Sequence, residues 1–274
     1  MARYTWKAFS REIAVLVLAV IWWIPFYFLI VVSLKPTDEI FVTPTSFPDE
    51  LAFGNYPDAW NEANLGRALV NSIVITGGTV IALIALGSIA AYAIARRPGK
   101  LGGALYLLFV LGIILPFQLG LVPTYVVLRE LGLVGSYAGM ILLYTGIWMP
   151  MSVFLYTGFL RALPREYEEA SQVDGASLFR TFRRVIFPLM RPVTGTVAIL
   201  TGLIIWNDFF LSLIFLSGTD NTPLPVRVYG FVGEFASRWN LIFAAVAVSI
   251  VPVFLFFLFA QKQLIRGFTG GIKS

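Results

Sequence analysis

The chain has 274 residues, of which 58% are apolar and 13% charged, and it contains neither cysteine nor histidine. That charged share is about half of what a soluble domain carries, too little to cover a globule of this size, so the composition calls for lipid. Without thiol or imidazole there is no thiolate nucleophile, no Ser-His-Asp relay, no ordinary zinc, haem or iron–sulfur site and no disulfide framework.

A bilayer core of about 30 Å takes about 20 helical residues. Six apolar stretches meet that length, at about 13–34, 69–95, 104–127, 137–160, 193–216 and 241–260. The first is too long for a secretory h-region and runs into Lys35-Pro36-Thr37 with no small-residue cleavage site, so it reads as a retained span. Pro116 and Pro123 punctuate the third, which is tolerable where neighbouring helices satisfy the freed backbone groups. The runs are continuous rather than alternating, which excludes a β-barrel. The expected fold is all-α: a single polytopic membrane domain over 1–274.

Orientation follows from Lys and Arg in the short connections. With the N-terminus cytoplasmic, Lys35, Arg67, Arg129, Arg227 and Arg238 fall outside and the other fifteen of the 20 basic residues fall inside. Both termini are therefore expected in the cytoplasm. The net charge of +5 becomes a topological signal rather than a nucleic-acid patch. The external segment 35–68, with four prolines, is expected to form an irregular cap with a short interfacial helix around Tyr56–Asn61.

One cytoplasmic connection stands apart, at 161–192. Pro164 suits a first helical position, and Glu166, Glu168 and Glu169 come next, at the end of a helix that favours negative charge. Gly175 interrupts the pattern, and Asp174 or Ser177 can cap a second helix beyond it. Leu178, Phe179, Phe182, Val185 and Ile186 then recur at helical spacing until Pro188 and Pro192 stop the helix. On periodicity alone this segment also reads as an amphipathic helix held against anionic lipid by Arg180, Arg183 and Arg184.

Glu169-Ala170-Ser171, three residues, Gly175, nine residues and Val185-Ile186-Phe187-Pro188 resemble the EAA loop of membrane-spanning subunits of binding-protein-dependent ABC importers. Ser171, Val185 and Phe187 depart from that pattern by small or apolar exchanges. Asn71-Ser72, Ala90-Ala91-Tyr92 with Arg96, Pro116, Pro123, Asp174-Gly175-Ala176, Trp206-Asn207-Asp208-Phe209 and the tail Arg266–Gly271 resemble the maltose-type carbohydrate branch. The resemblance implies a bacterial plasma-membrane permease subunit. Its implied partners are a homologous permease, a cytoplasmic ABC ATPase dimer and an extracytoplasmic sugar-binding protein. It also implies that the helix Arg165–Asp174 couples to the ATPase through Glu168, Glu169, Ala170, Ser171, Asp174, Gly175, Ala176 and Pro188, and that the tail from Gly267 reaches the ATPase. The chain has no GxxxxGK[ST] sequence, so ATP and Mg would be bound by the partner and no cofactor by this chain.

Asp208 is the one acid well inside an expected span, and intramembrane charge is costly and usually functional. Asp208, Asn207, Trp206, Asn71 and Gln118 are therefore candidates for lining a sugar path; a buried helix–helix hydrogen bond is the plainer alternative. Gly78 and Ala82, then Gly87, Ala91 and Ala95, have the small-residue spacing of close helix packing. Phe254, Phe256, Phe257 and Phe259 suit lipid or partner helices, and Tyr56, Trp60 and Trp239 an interfacial belt. An ion-coupled secondary transporter or channel subunit is the alternative function. It would usually bring more intramembrane ionisable residues and an internal repeat.

Overall fold

The computed structural model describes residues 6–97, 99–234 and 238–269. These are helices and connecting turns, with no strand among the described residues. In chain order they are α1 (Trp6–Ser33), α2 (Thr37–Val42), α3 (Asn55–Glu62) and α4 (Leu65–Arg96, with a π turn at Leu83–Gly87). Next come α5 (Lys100–Ile114), a 3-10 turn at Phe117–Gly120, α6 (Leu121–Glu130), α7 (Tyr137–Ala162) and α8 (Glu166–Val173). The last are α9 (Leu178–Leu189, with a π turn at Phe182–Ile186), α10 (Arg191–Trp206), α11 (Phe210–Leu216), α12 (Leu224–Glu234) and α13 (Trp239–Thr269).

Segments Phe9–Ser33, Leu65–Arg96 and Tyr137–Ala162 are each long and apolar enough to cross a membrane. The third expected span is not straight: α5 and the 117–130 segment meet at 89°. Leu115 precedes Pro116 and is forced out of the helical region, with φ −72° and ψ 123°. The fifth expected span likewise stops at Trp206 and resumes at Phe210. The loop helix ends between its two prolines, at Met190, where α9 and α10 meet at 71°.

The chain divides into two compact units, Met1–Arg67 with Arg227–Pro252 and Ala68–Val226 with Val253–Ser274. In the first, the external cap is more ordered than its prolines suggest. It holds α2 as well as the expected helix near Tyr56. Its hub is Lys35, fully buried, with its ammonium bonded to the Thr43 carbonyl, to Thr43 Oγ1 at 3.3 Å and to Ser46 Oγ at 3.1 Å, and paired with Glu39 at 3.2 Å. A buried lysine persists only when its donors are met in this way. Asn55 is a second hub. Its amide donates to the carbonyls of Ser33 and Lys35 at 2.8 and 2.9 Å and accepts from Asn240 at 2.8 Å, tying the cap to the start of α13.

The second unit is a helical bundle around α7. One apolar cluster gathers Ile75, Leu83, Leu128, Tyr144, Leu211 and Phe215; another gathers Ala91, Val153, Tyr156, Leu160, Ile186 and Val197. Between them α4 and α7 touch at Gly87. A Cβ there would run into Ser152 Oγ and come within 3.1 Å of Ser152 Cβ. The Ser152 hydroxyl donates at 3.2 Å to the carbonyl of Leu83, the first residue of the π turn. Gly87→Ala is therefore expected to lower the melting temperature through an overpacking cost of about 1–3 kcal/mol. Gly77→Ala, with open space beside it, should leave melting unchanged or raise it. Equal melting of the two variants in detergent would remove the close-approach assignment.

Candidate functional site

The loop after α7 is built from backbone rules. Leu163 precedes Pro164 and is extended, so α7 must stop. Pro164 does not open the next helix: Arg165 takes the N-cap position and α8 begins at Glu166, with Glu166, Glu168 and Glu169 in its first turn. At its far end Gly175 N donates to Gln172 O at 2.9 Å and Ala176 N to Ser171 O at 3.1 Å, while Gly175 has φ +79°. That pair of bonds around a left-handed residue is a Schellman stop, and glycine is the residue that adopts it without strain. Ser177 then caps α9, its hydroxyl accepting from Arg180 N at 3.4 Å; Asp174 makes no side-chain cap. Ser171 and Thr181 share a hydroxyl bond of 3.0 Å that holds α8 against α9.

The three acids of α8 divide. Glu168 turns inward and is buried, accepting from Arg96 Nε at 2.6 Å, and Arg96 Nη2 also donates to Leu163 O at 3.1 Å. One guanidinium thus ties the end of α4 to both the start of α8 and the end of α7. Glu169, Ala170, Asp174 and Gly175 face outward, Ser171 and Ala176 are half-buried, and Pro188 lies half-buried in the last turn of α9. Beside them Val173 is 88% and Phe179 70% exposed, with Leu178 and Tyr167 also in the open. The expected apolar stripe is therefore split: Ile186 enters the core and Phe182 and Val185 are half-buried, whereas Leu178 and Phe179 stand out. A cavity of about 810 Å³ opens between α4 and the loop, lined by Tyr92, Arg96, Arg97, Arg165, Glu168 and Gln172 among others.

The polar residues expected along the path do not gather in one place. Asn71 is fully buried. Its amide donates to the carbonyls of Asp220 and Thr222 at 2.8 and 2.9 Å and accepts from Tyr137 at 2.5 Å. Its neighbour Ser72 accepts from Leu224 N at 2.9 Å, so both side chains clamp the turn after α11. Gln118 is exposed in the 3-10 turn at the bend after α5. Trp206 closes α10 half-buried, and Asn207 is exposed with its amide donating to Leu203 O at 2.7 Å. Asp208 sits in the break between α10 and α11, where its carboxylate accepts from Leu211 N at 2.9 Å, Ser212 N at 3.4 Å and the Tyr144 hydroxyl at 3.1 Å. That is the work of a helix cap. Asp208→Ala is expected to cost about 1–2 kcal/mol of stability, while Asp208→Asn keeps the acceptor and melts close to wild type. A changed transport KM in Asp208→Asn at unchanged melting would instead assign the carboxylate to the cargo.

Sequence reasoning missed Arg96 as the anchor of the loop and Tyr144 as the partner of Asp208. An arginine that ends a span is indistinguishable in sequence from a topology signal. Gly270 and Gly271 of the tail lie outside the described residues, as do the side chains of Phe256, Phe257 and Phe259.

Residues 83–270 match the family described as binding-protein-dependent transport system inner membrane component. The chain is 37% identical to the melibiose/raffinose/stachyose import permease protein of Bacillus subtilis, over 90% of each chain. It is 31% identical to a probable starch degradation products transport system permease of Thermoanaerobacterium thermosulfurigenes, over 93% of each. Its fold is similar to a chain of a bacterial ABC transporter involved in the import of the acidic polysaccharide alginate, with TM-score 0.81 and 19% identity over 96% of this chain and 99% of that one. With the family match running from the π turn of α4 through the whole 161–192 loop and into α13, the chain belongs to the inner membrane components of binding-protein-dependent transport systems.

Proposed function

We propose that this chain is the permease subunit of an ATP-driven importer for a sugar or oligosaccharide. The observation that carries the cargo class is the 37% identity, across 90% of both chains, to a permease named for melibiose, raffinose and stachyose. In this reading six spans place both termini in the cytoplasm of a bacterial cell, with the bent α5–α6 segment and the interrupted α10–α11 segment each completing one crossing. A homologous permease supplies the other half of the path, and an extracytoplasmic binding protein delivers the sugar. A cytoplasmic ATPase dimer binds ATP and Mg and drives the cycle. The ion-coupled alternative finds no support among the relatives.

The loop 161–192 is the seat of coupling. It offers a short acidic helix, a glycine-stopped bend and an exposed apolar rim, anchored to α4 by one ion pair. Those are the parts of a rigid peg for a protein cleft, and α8 is the peg. Glu169, outward and without the structural duty of Glu168, supplies the charged contact; Ala170 permits close approach.

Gly175→Pro and Glu169→Lys are expected to abolish sugar uptake while the protein still reaches the membrane in normal amount. Proline cannot adopt φ +79°, and lysine reverses the charge of the contact. Wild-type uptake and wild-type stimulation of the partner ATPase in both variants would remove the assignment. Uptake of labelled melibiose, raffinose and maltose by a deletion strain, with and without this gene, tests the cargo class.

A further inference from the structure

The segment after α1 folds back along the helix it has just left. Tyr27 OH donates to Thr45 O at 3.2 Å, and Ala52 N donates to Leu34 O at 2.8 Å. Tyr27 lies seven residues before Leu34, about 10 Å along a helix rising 1.5 Å per residue. The chain therefore descends from the end of α1, turns near Thr45 and climbs back to its starting level by Ala52.

The inner side of this excursion is closed by polar bonds. Lys35 gathers Thr43, Ser46 and Glu39, and Glu39 accepts from Asp49 N at 3.4 Å. Ile40 and Pro48 are buried beneath them. Its outer side is apolar and open among the described residues: Val42 is 79% exposed, Phe41 and Phe47 65% each, with Leu51 and Phe53 also open on the return. Of the acids, Asp38 and Glu39 open α2 at the top of the descent, with Glu39 paired to Lys35, and Asp49 and Glu50 lie beyond the turn on the way back up.

We propose that residues 37–53 form an interfacial wedge that inserts Phe41, Val42 and Phe47 into the leaflet bordering the end of α1. The occupant is lipid because the strip runs beside the last two turns of an apolar helix long enough to cross a bilayer. The neighbouring surface of α1 is itself open apolar side chain, at Trp23, Phe26 and Ile30. A descent of about 10 Å matches the depth at which amphipathic elements seat their apolar faces at the headgroup boundary. A water-facing loop would gain nothing by seating its turn on Tyr27 and burying an ammonium to close it. The inference rests on reading α1 as a membrane span.

The absence of cysteine makes the test direct, since Phe41→Cys and Phe47→Cys each give this chain one thiol. Spin-labelled there, in the assembled transporter in nanodiscs with partner cysteines replaced, the nitroxide should meet oxygen more readily than a water-soluble nickel chelate. Asp49→Cys should show the reverse order. Chelate access at both phenylalanine positions overturns the wedge. Low access to both probes, or a change when the binding protein is added, also overturns it, because a protein then covers the strip. Leu18→Cys, exposed in the middle of α1, separates the two failures: chelate access there sinks the span itself, not the wedge alone.

Discussion

Glu168→Ala is expected to lower stability by about 3–5 kcal/mol, the cost of leaving one charge of a buried pair without its partner. The side chains of Arg96 and Glu168 are 13% and 10% exposed, at the wall of the cavity between α4 and the loop. Among the described residues Arg96 would keep its bond to the Leu163 carbonyl at 3.1 Å. The loop should then loosen first, and proteolysis between Leu163 and Ser177 should accelerate before the bundle melts. Arg96→Lys keeps the charge but cannot reach both partners with a planar fork, so it should fall between wild type and the alanine variant. The exchanged pair, Arg96→Glu with Glu168→Arg, should recover part of the loss. Wild-type melting and wild-type loop cleavage in Glu168→Ala would mean that Arg96 does not hold α8.

Val173→Asp and Phe179→Asp should act in the opposite manner, harmless to the fold and severe for transport. Both side chains stand in the open, and substitutions at such positions usually change stability by within about 0.5 kcal/mol. If the loop docks in the ATPase, these two are apolar anchors of the contact. Burying an unpaired carboxylate there should cost at least about 2 kcal/mol of binding, more than tenfold in affinity. The expected result is a permease that inserts and melts normally but no longer co-purifies with its ATPase or stimulates ATP hydrolysis. Normal co-purification of both variants would move the docking face away from this rim.

Much of the helical framework is written in local pattern. The charge-free first stretch becomes most of α1, and the small residues around Gly87 mark where α4 meets α7. Gly175 announces its own bend, because a left-handed stop selects glycine. What local pattern does not carry is which of several similar residues turns inward. Glu168 and Glu169 are adjacent and chemically alike, and the contact with Arg96, 72 residues away, marks which of the two turns inward. The same holds for Asp208, whose place in an apolar run suggests cargo. The amides it accepts from, Leu211 and Ser212, are local, but the hydroxyl that also meets it comes from Tyr144, 64 residues earlier. The bend at Leu115 is legible in Pro116, but hydropathy averages across it and draws a continuous stretch.

The wide turn at Leu83–Gly87 has a consequence for chain length. A π turn holds one residue more than an α turn, so it works as an insertion absorbed within a single coil. A homologue shorter by one residue at this point can straighten the coil and still deliver its arginine to the same place. An extra residue elsewhere along the same helix has no such buffer. It would swing everything downstream by about 100° and carry the guanidinium off the face where its carboxylate waits.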